Sequence, residues 1–67
     1  MKLKDYVKVI WNKTPIILRE KEKGSDCILS KRLFEAYSNS PVFNFYGDRE
    51  VLSVEASNNK IDIVVAK

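Results

Sequence analysis

Four carboxylates near the end of the chain, Asp48, Glu50, Glu55 and Asp62, are the first residues whose types and spacing suggest chemistry. A hard cation such as magnesium takes oxygen ligands of this kind. Asp48 and Glu50 flank Arg49, however, and Asp48 follows Gly47 in a turn-like stretch. An Asp–Arg or Asp–backbone contact that fixes the turn is the better expectation. The single cysteine, Cys27, would need a lysine or a helix start to activate it, because the chain contains no histidine. It reads as a buried strand residue.

The absence of histidine removes the commonest general base and metal ligand. One cysteine cannot build a structural zinc site. The two glycines, Gly24 and Gly47, stand too far apart for a phosphate-cradling loop. No catalytic residue, metal ligand or cofactor site is therefore assigned, and the expectation is a protein that is not an enzyme.

Binding chemistry has more to work with. Twelve basic and nine acidic side chains leave a net charge of +3, with a small basic cluster at Lys2, Lys4, Lys8 and Lys13. Tyr6, Trp11, Phe43, Phe45 and Tyr46 offer flat faces on which bases stack. Candidate contacts to nucleic acid or a protein partner are Lys2, Lys4, Lys8, Lys13, Arg32, Tyr46 and Arg49. The opposing reading makes Trp11, Phe43 and Phe45 the core of a small protein with little else to bury. A dedicated DNA-binding domain carries a denser basic stripe than this one.

The elements that would position these groups follow from periodicity. In MKLKDYVKVIW, Leu3, Val7, Val9 and Trp11 share one parity and the lysines fall on the other, which predicts a half-buried strand. NKTP (12–15) breaks the pattern, and a second strand follows over 16–20. Pairing the two would set Trp11 opposite Ile16 and Val9 opposite Leu18. EKGSD (22–26) reads as a bulged loop around Gly24, leading to a third short strand at Cys27-Ile28-Leu29. Ser30 then resembles an N-cap, and KRLFEAYS places Leu33, Phe34 and Tyr37 on one helical face, although Lys31 and Arg32 oppose the helix dipole. SNSP (38–41) ends that helix.

The last segment, VLSVEASNNKIDIVVAK, is the most regular. Asn58-Asn59 separates two alternating runs, and asparagine tolerates the left-handed backbone that a two-residue turn needs. The resulting register sets Ser57 opposite Lys60, Ala56 opposite Ile61, Val54 opposite Ile63 and Leu52 opposite Val65. It also sets Ser53 opposite Val64 and Glu55 opposite Asp62, a like-charge pair that a lysine such as Lys60 would relieve. A slip of one residue destroys the apolar match.

These elements add up to one α+β domain over residues 1–67, in the order β-β-β-α-β-β. The expectation is a mostly antiparallel sheet with one short helix packed on it, a small curled β-barrel being the alternative. A chain of this size buries only about 60% of its unfolded surface. With Ile10, Ile17 and Val64 on an outer sheet face, it has reason to form a homodimer. Its apolar runs fall far short of the roughly 20 residues that cross a bilayer. Its N-terminus lacks the apolar stretch of a signal peptide, and its lone cysteine suits a reducing cytoplasm.

Leu3-Lys4-Asp5 at the front, with Asp48-Arg49-Glu50-Val51, Ser53, Val54 and Ala56 at the back, resemble a group of short uncharacterised proteins of Gram-positive bacteria, their phages and mobile elements. The resemblance covers about half of the chain and rests on a structural signature. It implies a setting: a phage or mobile-element protein that works by binding, blocking a host defence complex, modifying a host enzyme or sequestering a signal. Its contact surface would be an exposed sheet edge or the helix face that carries Arg32, Glu35 and Ser38. The alternatives are a weak nucleic-acid binder and a protein that sequesters a nucleotide.

Overall fold

The structure, a computed structural model, describes residues 1–22 and 30–67. An α-helix, α1 (Leu3–Val7), comes first. Strands β1 (Pro15–Lys21) and β2 (Lys31–Tyr37), a 3-10 helix (Pro41–Phe45), and strands β3 (Val51–Ser57) and β4 (Lys60–Ala66) follow. The strands form one open sheet in the order β2-β1-β4-β3. The fold is broadly α+β, but the sheet is mixed. β1–β2 and β3–β4 are antiparallel, whereas the central pair β1–β4 is parallel. It is not closed into a barrel, since β2 and β3 are both edges.

The N-terminal strand expected from the alternation is a helix instead. Leu3 and Val7 are four apart, a spacing shared by a strand face and a helix face, so parity alone does not separate the two. Both are buried, while Val9 and Trp11, which continue the strand parity, are exposed. The expected pairs Trp11–Ile16 and Val9–Leu18 therefore do not form. α1 is anchored by its first turn, where the Leu3 amide donates to Arg49 O at 2.9 Å and the Lys4 amide to Gly47 O at 3.0 Å. The approach is close enough that a Cβ on Gly47 would lie 3.3 Å from Lys4 Cβ.

The second correction concerns KRLFEAY, which is strand β2 rather than a helix. Seven residues are too few for a stable helix in isolation, and the basic pair Lys31-Arg32 opposes the helix dipole. As a strand, the segment pairs with β1, setting Ala36 opposite Ile16 and Phe34 opposite Leu18, with an irregularity between Leu18 and Arg19. Phe34 and Ala36 thereby pack against the core, as does Leu33. Pro41, expected only to follow a helix end, opens the 3-10 helix, with Ser40 Oγ accepting from the Val42 amide at 3.4 Å. The strand expected at Cys27-Ile28-Leu29, and the loop around Gly24, lie outside the described residues.

The C-terminal hairpin forms as the alternation requires. Asn58 (φ 49°) and Asn59 (φ 63°) both occupy the left-handed region, as a type I′ turn demands. The pairs from Ser57–Lys60 through Ser53–Val64 match the expected register. Beyond them a bulge sets Val51, rather than Leu52, opposite Val65.

The buried apolar core lies on one face of the sheet. Ile16 and Leu18 of β1 and Ile63 and Val65 of β4 meet Leu3 and Val7 of α1 and Phe43 of the 3-10 helix. The opposite face carries Ile17 and Val64, neither of which joins that cluster. Ile10, expected on the outer face, packs against the core instead. Among the described residues no helix is long and apolar enough to cross a membrane.

Candidate partner-binding surface

The seven candidate contact residues do not converge. Lys2 and Lys4 both lean on Asp48, at 3.9 and 3.2 Å, which ties the chain start to the turn before β3. Asp48 thus anchors lysines, and Arg49 turns away from it. The Arg49 guanidinium bonds Glu20 at 2.6 Å and lies 4.9 Å from the centre of the Tyr46 ring. Tyr46 in turn packs on Phe34 at 5.5 Å. Arg49 and Tyr46 are therefore a structural pair that closes one end of the core. Lys8 lines a shallow surface depression with Lys4, and Lys13 Nζ sits 5.7 Å from the Trp11 ring.

Arg32 belongs to a different surface, the uncovered sheet face. Its guanidinium meets Glu35 at 3.2 Å, and Lys60 meets the same carboxylate oxygen at 3.3 Å. A helix face with Arg32, Glu35 and Ser38 does not exist, because the segment is a strand and Ser38 Oγ donates to Ile10 O. On the same sheet face Arg19 holds Asp62. Lys60, expected to relieve Glu55 against Asp62, is engaged by Glu35, and it is Arg19 that balances Asp62.

The aromatic platform is split. Phe43 is buried and packs against Phe34 with tilted rings, centroids 5.3 Å apart, as the core reading requires. Phe45 and Trp11 are 84% and 68% exposed, against that reading. In a 3-10 helix, residues two apart do not share a face, so Phe43 and Phe45 diverge. Trp11 borders an open groove of about 500 Å³, whose floor includes Ala56, Asn58, Asn59 and Ile61. Among the described residues no three cysteine or carboxylate groups come together as metal ligands.

Sequence reasoning offered an exposed sheet edge as a contact surface without saying which strand forms it, and the edge of β3 is one candidate. Its first part is already paired: the Val51 amide donates to Met1 O at 2.8 Å, and Lys2 bridges Glu50 in antiparallel sense. Beyond the bulge, Ser53, Val54, Glu55 and Ala56 are exposed. The two-residue turn sets the phase of the ladder there. Ser57–Lys60, Glu55–Asp62 and Ser53–Val64 are the hydrogen-bonded pairs, so Val54 and Ala56 direct their N–H and C=O groups outward. The signal lay in the hairpin register, but only the strand order makes β3 an edge.

No protein-family model matches the chain, and no curated protein or solved structure matches it.

Proposed function

We propose that this chain is a non-enzymatic binding protein of the phage or mobile-element type, acting in the cytoplasm through protein–protein contacts. The observation that carries the reading is a four-stranded sheet covered on one face only, with the β2 edge and the β3 edge beyond its bulge open among the described residues. Ile17 and Val64 lie at the centre of the uncovered face, within the charged frame of Arg19, Asp62, Arg32, Glu35 and Lys60. Central apolar groups with a polar rim are the usual anatomy of a protein interface. A homodimer through that face belongs to the same reading, and light scattering tests it directly.

Inhibition of a bacterial defence system is the activity that the sequence resemblance suggests. The test has two parts. Affinity capture from a Gram-positive lysate should yield a protein that rebinds when both components are pure. Expression in a host with an active defence system should raise phage plaque numbers. No reconstituted partner would remove the binding reading, and unchanged plaque numbers would remove the anti-defence role.

A second reading, weak binding of single-stranded nucleic acid, is favoured by exposed Trp11 beside Lys13. It requires affinity that falls steeply with salt. Four of the seven proposed contact residues already meet carboxylates, namely Lys2, Lys4, Arg32 and Arg49. Fewer counterions would then be released on binding, which argues for the protein-binding reading.

A further inference from the structure

We infer that the outer edge of β3 from Ser53 to Ser57 is a strand-addition site for an extended, basic peptide segment of a partner protein. The inference rests on the protein-binding reading above and assigns its surface. A sheet edge binds an added strand through main-chain hydrogen bonds, and side-chain pairing then selects the sequence.

Three observations converge on this edge. Natural edges are blunted by charges, proline or covering segments. The two edges here differ in that respect. β2 carries Lys31, Arg32 and Glu35, whereas β3 beyond its bulge reads Ser-Val-Glu-Ala-Ser, with one charge in five residues.

The second observation is that the same edge already pairs with extended backbone, at an isolated bridge. Met1 and Lys2 pair with Glu50 and Val51 in antiparallel sense, and that pairing ends where the bulge begins. Past the bulge the outward groups of Val54 and Ala56 have no pairing strand among the described residues.

Third, Glu55 decides the occupant. It is exposed, it has no ion pair among the described residues, and its cross-strand neighbour Asp62 is already held by Arg19. Pairing β3 with the β3 of a second copy, in the register that uses both Val54 and Ala56, would set the two Glu55 side chains directly opposite one another. Like charges at that position are unfavourable, and a lysine or arginine there is favourable. The residues beside the basic one would be small and apolar, to lie against Val54 and Ala56 on the side of the Trp11 groove.

The probe is a capped peptide, Thr-Val-Lys-Val-Thr, with a control carrying Glu in place of Lys, titrated into the ¹⁵N-labelled full chain. The Val54 and Ala56 amides should shift and gain protection from exchange. The Lys peptide should bind about 3- to 10-fold more tightly than the Glu peptide, and Glu55→Lys should reverse that order. Val54→Pro removes an outward N–H at a position where an edge strand tolerates proline, and should abolish the titration. Should Val54→Pro fail to fold, the reversal by Glu55→Lys decides alone.

Equal affinity for the two peptides, or shifts confined to residues away from β3, would overturn the proposal. So would a concentration-dependent dimer that Val54→Pro dissolves, which would give the edge to a second copy. A reconstituted partner that binds Val54→Pro as well as the wild type would overturn the edge assignment while leaving the wider protein-binding reading intact.

Discussion

The Nε of Arg19 donates to both carboxylate oxygens of Asp62, at 3.1 and 2.9 Å, across the parallel junction of β1 and β4. This contact joins the two central strands on the uncovered face and sits beside the like-charge pair Glu55–Asp62. Removing its two partners should therefore have unequal effects. Arg19→Ala leaves Asp62 facing Glu55 without a counter-charge, whereas Asp62→Asn removes the ion pair and the repulsion together. Both groups are about a third exposed, so the first should cost about 1 kcal/mol and the second a few tenths. Urea unfolding in low salt measures the difference, and equal losses would contradict this account.

The Arg49–Glu20 pair is more enclosed, with the Glu20 side chain only 13% exposed. Arg49→Ala strands that carboxylate and should cost about 2–3 kcal/mol. Arg49→Lys keeps the charge but loses the planar group that stacks on Tyr46, and should cost about 1 kcal/mol. A lysine variant as stable as the wild type would show that the ring contact contributes nothing.

The turn at Asn58-Asn59 needs a left-handed backbone at both positions. Asn59→Gly should be neutral or slightly stabilising, and Asn59→Val should cost about 1–2 kcal/mol. Thermal unfolding of the two variants should bracket the wild type in that order.

Leu18 is fully buried at the centre of the sheet. Leu18→Ala should cost about 2–5 kcal/mol, a large part of the roughly 3–10 kcal/mol available to a chain of this length. Trp11→Ala, at an exposed position, should stay within about 0.5 kcal/mol. Circular dichroism at ambient temperature should show the first variant partly unfolded and the second unchanged. If Trp11→Ala unfolded the chain, Trp11 would belong to the core and the groove beside it would lose its meaning.

By itself, the sequence determined the C-terminal hairpin and strand β1, whereas whether Phe43 was core or a stacking face was settled only by its burial. A period of two over Ser53–Val64, interrupted by two asparagines, admits one register only, because a slip would turn Ile61 and Ile63 to solvent. Elsewhere local pattern was ambiguous and tertiary contacts decided. Leu3 and Val7 suit a helix or a strand equally, and the Leu3 and Lys4 amides choose the helix by bonding Arg49 and Gly47, over forty residues away in sequence. KRLFEAY has an apolar face in either conformation, and β1 selects the strand by offering a partner ladder and a place to bury Phe34. The parallel β1–β4 junction, and with it the open edge at β3, joins segments far apart in sequence. Periodicity describes the faces of one segment, whereas strand order depends on which faces meet.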